Sequence, residues 1–220
     1  DLVKNSIFSG YLANSSISPL DALFLYFEND FPQMNSIQEW GSYFRIEAWR
    51  RAFADFRIDD SSYAEEIAVE YLTSREKRYR LYEDSDKVLQ ELLLRGFRLA
   101  LITNGEESLQ REKLLSCDIE KYFEKIVISD NVGMRMPERR IYDFLLNEMD
   151  VLPENALIVA ENLEKELYGA IKAGMKSVWL NRNRVVREKK VSAEFEIYTL
   201  SEVILIAEMM RKGELFKKFE

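Results

Sequence analysis

Three short stretches in the second half of the chain hold the residue types that could do chemistry. In Leu99-Ala100-Leu101-Ile102-Thr103-Asn104-Gly105 an apolar run ends in a hydroxyl, an amide and a glycine. A threonine hydroxyl and free backbone N–H groups at the carboxyl end of a strand can hold a phosphate, although Thr-Asn-Gly is also ordinary turn chemistry. The second stretch runs Val132-Gly133-Met134-Arg135-Met136-Pro137-Glu138-Arg139-Arg140-Ile141-Tyr142, and its three arginines read as surface charges around a helix start. The third, Ile158-Val159-Ala160-Glu161-Asn162-Leu163-Glu164-Lys165-Glu166-Leu167-Tyr168-Gly169-Ala170, is an apolar run that opens into an acidic one.

Other acids and the single thiol fit plainer roles. Asp84-Ser85-Asp86 precedes Val88, Leu89 and Leu92 at helical spacing and reads as a helix N-terminus, with its charge well placed on the dipole. Asp59-Asp60 reads as a loop, and Cys117 as a structural thiol without an activating cation. The chain has no histidine, which removes Ser-His-Asp and Cys-His triads, histidine-bound zinc and histidine general bases together. One cysteine forbids an internal disulfide and fits a reducing, cytoplasmic setting.

The elements that must position these stretches follow from hydrophobic spacing. Phe97 to Ile102, Ile126 to Ser129, Ala156 to Ala160, Ser177 to Leu180 and Glu196 to Tyr198 read as strands. Helical spacing fills 86 to 95, 107 to 115, 138 to 149 and 163 to 174, the last closed by Gly174. Strand and helix alternating this way predict right-handed crossovers and a parallel sheet buried on both faces. The first third is instead helical. Ser18-Pro19-Leu20-Asp21 opens one helix, the capping box Ser36 to Glu39 opens a second bearing Trp49, Ala52, Phe53 and Phe56, and a third covers about 63 to 72. Its aromatic stripes read as packing core.

Across 220 residues, 47% are hydrophobic and the net charge is −8, which excludes disorder and argues against a nucleic-acid partner. No apolar run reaches membrane-span length.

Taken in order, the three stretches resemble the second, third and fourth motifs of the haloacid dehalogenase-like superfamily. The branch is that of helical-cap small-molecule phosphatases such as pyrimidine nucleotidases and acylneuraminate phosphatases. Gln110 to Lys113 and Tyr122-Phe123 add to the likeness. The resemblance implies an α/β fold, a doubly wound parallel Rossmann-like sheet with an inserted all-helical cap. It assigns 1–16 and 83–220 to the core and 17–82 to the cap. It further implies phosphoryl transfer to a strand-end aspartate, or halide displacement by it, with a second aspartate as acid, a lysine and Mg²⁺.

Matched position by position, this chain departs from that pattern. The best register for the first motif, Ile7-Phe8-Ser9-Gly10-Tyr11-Leu12-Ala13-Asn14-Ser15, puts Ile7 at the nucleophile and Ser9 at the acid. Met136 stands at the lysine, Glu161 and Glu166 at the metal-holding aspartates, and Thr103 with Asn104 and Gly105 remains as a phosphate-binding remnant. The leading expectation is therefore a pseudoenzyme with no favoured cofactor, whose partner is a protein or small molecule in the core–cap cleft. One alternative is an active Mg²⁺-dependent phosphatase whose first strand lies upstream of Asp1 or whose attacking acid lies elsewhere. The other is a subunit-interface module acting through Val203 to Phe219.

Overall fold

A computed structural model describes residues 45–58, 61–76, 78–186 and 191–214. Ile7, Ser9, the helix opened at Ser18, the capping box at Ser36, Asp59, Asp60, Leu215 and Phe216 lie outside the described residues. In chain order the elements begin with helices α1 (45–55), α2 (Ser61–Glu76) and α3 (Ser85–Leu94), then strand β1 (Ala100–Thr103) and α4 (Glu107–Ser116). Next come β2 (Lys125–Ile128), the short α5 (Ser129–Val132), α6 (Arg139–Met149) and β3 (Leu157–Ala160). The last are α7 (Tyr168–Ala173), β4 (Lys176–Leu180), β5 (Phe195–Ile197) and α8 (Val203–Arg211).

Two compact units share these elements. One takes Asp1–Arg80 and Asn104–Asp118, the other Leu81–Thr103 and Ile119–Glu220. In the first, the aromatic stripe packs as expected: Phe53 stacks on Tyr63 at 5.4 Å between ring centroids, and Trp49 meets Tyr71 edge-on at 6.0 Å. Ala64 and Ala68 bury the inner face of α2. Phe56 departs from the expected stripe and is exposed, because α1 ends before it and Arg57 turns the chain at φ 59°.

The second unit is parallel α/β. β1 pairs with β2, and β4 lies between β3 and β5, all parallel. Alternation along the strands gives two cores, as the period of two in a strand dictates. Ile158 and Ala160 of β3, Trp179 of β4 and Ala100 and Ile102 of β1 face a cluster with Ile141, Tyr142, Leu145 and Ala170 of α6 and α7. Leu157, Val159, Val178 and Leu180 face the opposite way, onto Val88, Leu92, Val203 and Ile206 of α3 and α8. Helices therefore cover both faces. The buried side of α8 serves as that cover, with Val203, Ile206 and Ala207 turned inward. No helix among the described residues is long and apolar enough to cross a membrane.

Local differences from the sequence expectation have physical causes. β1 begins at Ala100 rather than Phe97, because the Phe97 N–H closes α3 on the Leu92 carbonyl at 3.0 Å. Ser129 starts α5 instead of ending β2. The helix expected over 163 to 174 is in two parts: a wide π turn, Leu163–Leu167, and then α7. Both Glu166 and Leu167 donate to the Asn162 carbonyl, at 3.0 and 3.1 Å, which widens that first turn. Gly174 ends α7 at φ 92°, in the left-handed conformation that glycine takes without strain.

Candidate functional site

Thr103 is the last residue of β1, half-buried and opposite Ile128 in the ladder. The chain passes from one unit to the other just after it, so Asn104 and Gly105 belong with α4. Gly105 sits at φ 146°, and an added Cβ would lie 2.3 Å from the Gln110 amide nitrogen. The positive φ favours glycine there, while the Gln110 side chain could shift to make room. Next comes Glu106, which the sequence reads with Glu107 as an acidic helix start and which is buried. Its carboxylate accepts the N–H groups of Ser108 and Leu109 at 2.9 and 2.8 Å and the Ser108 hydroxyl at 2.7 Å. It is the N-cap of α4, so those donors are already satisfied.

Met136 is only 9% exposed and belongs to the cluster that holds Leu163 and Leu167 of the π turn. The neighbouring elements fit tightly: a Cβ on Gly169 would meet the Pro137 carbonyl oxygen at 2.0 Å and the Tyr142 ring at 2.5 Å. A thioether in this setting fills space and carries no charge. The three nearby arginines stay outside. Arg135 pairs with Glu138 at 3.3 Å, Arg140 with Glu138 at 2.5 Å and Arg139 with Asp143 at 3.1 Å, all on exposed surface.

The two glutamates behave differently from each other. Glu166 folds back so that its Oε2 accepts the Asn162 N–H at 3.0 Å. Its carbonyl accepts the Tyr142 hydroxyl, and burial, ahead of the Glu166 charge, pushes that phenol well above its ordinary value. Glu161 follows β3 with its side chain 56% exposed and its carbonyl fixed by the Trp179 indole N–H at 2.9 Å. The Glu161 carboxylate lies 3.8 Å from the Nε of Arg182.

Arg182 gave no sequence signal beyond its place just after a buried strand. Asn181 templates its loop: the side-chain oxygen accepts the Val185 N–H at 2.8 Å while the amide donates to Glu196 at 2.7 Å. Arg182 itself, 16% exposed, grips Asp84 with both terminal nitrogens at 3.1 and 2.9 Å and lies over the Tyr82 ring at 4.1 Å. Asp84 sits at the N-cap of α3 as expected, yet its side chain caps nothing there. The carboxylate goes instead to Arg182 and to the Leu200 N–H at 2.7 Å. Hydrogen bonding to Arg182 holds its carboxyl below the usual value, against partial burial, with the Leu200 N–H assisting. Asp86, expected to sit in the first turn, is there and accepts the Tyr122 hydroxyl at 2.6 Å.

A divalent cation needs oxygens converging on one point. Glu166 is turned onto its own turn and Glu161 toward a guanidinium, and among the described residues no three acids or thiols gather as a metal site would require. As arranged, this pair does not fit Mg²⁺. Cys117 caps the C-terminus of α4 and is half-buried.

The chain is similar to known proteins throughout this region. The haloacid dehalogenase-like hydrolase family model matches residues 27–180. A phosphoserine phosphatase of Thermus thermophilus is 32% identical over 188 residues, which is 86% of this chain and 74% of that protein. The human N-acylneuraminate-9-phosphatase is 29% identical over 170 residues, 76% of this chain and 67% of its own length. Among solved structures, a HAD phosphatase from Thermococcus onnurineus superposes with a TM-score of 0.57 at 28% identity, covering 78% of this chain and 80% of that one.

Proposed function

Because this chain belongs to the haloacid dehalogenase-like hydrolase family, we propose that it keeps the family's phosphatase scaffold without its turnover, and acts by binding a protein or small-molecule partner. The observation that carries this reading is Met136. Phosphoryl transfer spreads negative charge over the transferred group, and fixed cations in a dry site are the means of stabilising it. Met136 supplies a neutral thioether inside an apolar cluster, and Arg135, Arg139 and Arg140 are spent on exposed pairs with Glu138 and Asp143. In the register above, Ile7 has no lone pair with which to attack and Ser9 is no carboxylic acid. Losing one group of a concerted set costs on the order of 10⁴ to 10⁶ in rate, so several such losses leave little beyond background. A reducing, cytoplasmic setting is part of this reading, supported by the single cysteine.

A second reading is a working phosphatase, with its attacking acid outside the described residues and Mg²⁺ held by Glu161 and Glu166 after rearrangement. The named activities of the relatives support it, and phosphorylated small metabolites are its candidate substrates. One assay separates the two readings. The purified chain is incubated with phosphoserine, N-acylneuraminate 9-phosphate and a generic aryl phosphate, with Mg²⁺ or with chelator, and released phosphate is measured. Release at the blank level in both conditions is expected. Mg²⁺-dependent release that chelator abolishes overturns the inert reading and establishes the second.

A further inference from the structure

Arg182 presents one unusual feature: its Nε is buried and has no hydrogen-bond partner, while both terminal nitrogens bond Asp84 and the plane lies over the Tyr82 ring. A buried donor left open costs free energy unless something else requires that orientation. The acid that faces Nε is Glu161, whose Oε1 stands 3.8 Å away, beyond hydrogen-bond reach, on a side chain exposed enough to turn. On its other side the same planar group holds Asp84 and Tyr82. Those residues lie immediately after Arg80–Leu81, where the chain enters the second unit. Asp84 in turn fixes the Leu200 N–H at the approach to α8.

We propose that Arg182 is a positioning residue that couples the acidic turn at Glu161 to the entry segment Leu81–Asp84. A guanidinium is rigid and planar, so a pull on Nε from a turning Glu161 carboxylate is passed to the fork that grips Asp84. Any ligand or rearrangement that draws on the Glu161 carboxylate is therefore felt at the entry segment, and the reverse holds by linkage. The coupling needs no phosphate turnover and stands whichever way the assay above comes out.

The test is amide hydrogen exchange on the full chain, comparing the wild type with Asp84→Asn, Arg182→Lys, Arg182→Gln and, as a control, Arg98→Gln. Arg98 pairs with Glu124 at 2.7 Å on exposed surface away from this network. In Asp84→Asn, exchange is expected to rise about tenfold or more at 81–84 and Leu200, and also at 161–166, the size set by one lost charge-assisted hydrogen bond. Arg182→Lys is expected to reproduce both rises, since an ammonium cannot fork onto Asp84 and also face Glu161. Arg98→Gln should change neither region. If Asp84→Asn loosens 81–84 while 161–166 keeps its wild-type exchange, the pair is a local staple and the coupling is wrong. The coupling is equally overturned if all segments of the unit rise alike, which signals general destabilisation. Should Arg182→Gln fail to fold, Asp84→Asn and Arg182→Lys still decide the matter.

Discussion

Residues 135–140 and the loop at 181–184 both carry arginines in the second unit, and they use them in opposite ways. In the first, Arg135, Arg139 and Arg140 pair with Glu138 and Asp143 on the exposed surface around one helix start. In the second, Arg182 reaches Asp84, 98 residues away in sequence, and is largely enclosed. The difference shows that the position of a charge decides its use more than its presence does. Three cations lie within four residues of Met136 and none enters the cluster it fills, whereas Arg182 after β4 holds the Tyr82–Asp84 stretch and, through Asp84, Leu200.

This contrast fails first if Arg182 proves dispensable. Arg182→Gln removes both forked bonds and leaves Asp84 enclosed without its partner, so denaturant unfolding should show a loss of about 2 kcal/mol. The same pair has a pH signature. Because the folded pKa of Asp84 lies below its unfolded value, its stabilising contribution is complete above the unfolded value and disappears as pH falls through the folded one. Asp84→Asn should therefore unfold with a flatter pH dependence than the wild type between about pH 5 and 2. A wild-type slope in that variant would mean that other carboxylates carry the acid transition.

An effect at least as large is expected from Met136→Lys, which puts a cation into the apolar cluster. Burying an ammonium there without a partner should cost about 3 kcal/mol or more, read as a lowered thermal midpoint. Unchanged stability would indicate that Glu161 or Glu166 can swing in to receive it, which would sharpen the case for a recoverable active site. The smallest effects belong to Arg139→Gln and Arg140→Gln, each expected within about 0.5 kcal/mol of the wild type because exposed pairs of this kind contribute little.

Local periodicity made most of the second unit legible in the sequence. Five strands and the helices between them fall within a few residues of their expected ends, because apolar alternation and Gly174 report burial and termination directly. The π turn was not legible. Its cause is a pair of donors converging on the Asn162 carbonyl, which residue spacing does not encode. Nor was the Arg182–Asp84 pair, whose members look like a loop cation and a helix cap until folding brings them together. Phe56 shows the converse error, since its spacing continued the aromatic stripe while the backbone had already turned away. At the site, residue spacing does not encode where the charges of Glu161, Glu166 and the arginines point.

Glu106 has a consequence for any anion approaching Asn104 and Gly105. A bare helix start there would attract a phosphate, but the leading turn of α4 already embraces a carboxylate of its own chain. That resident negative charge is covalently tethered and always at hand, so an incoming dianion meets repulsion where an open helix start would have given it a welcome.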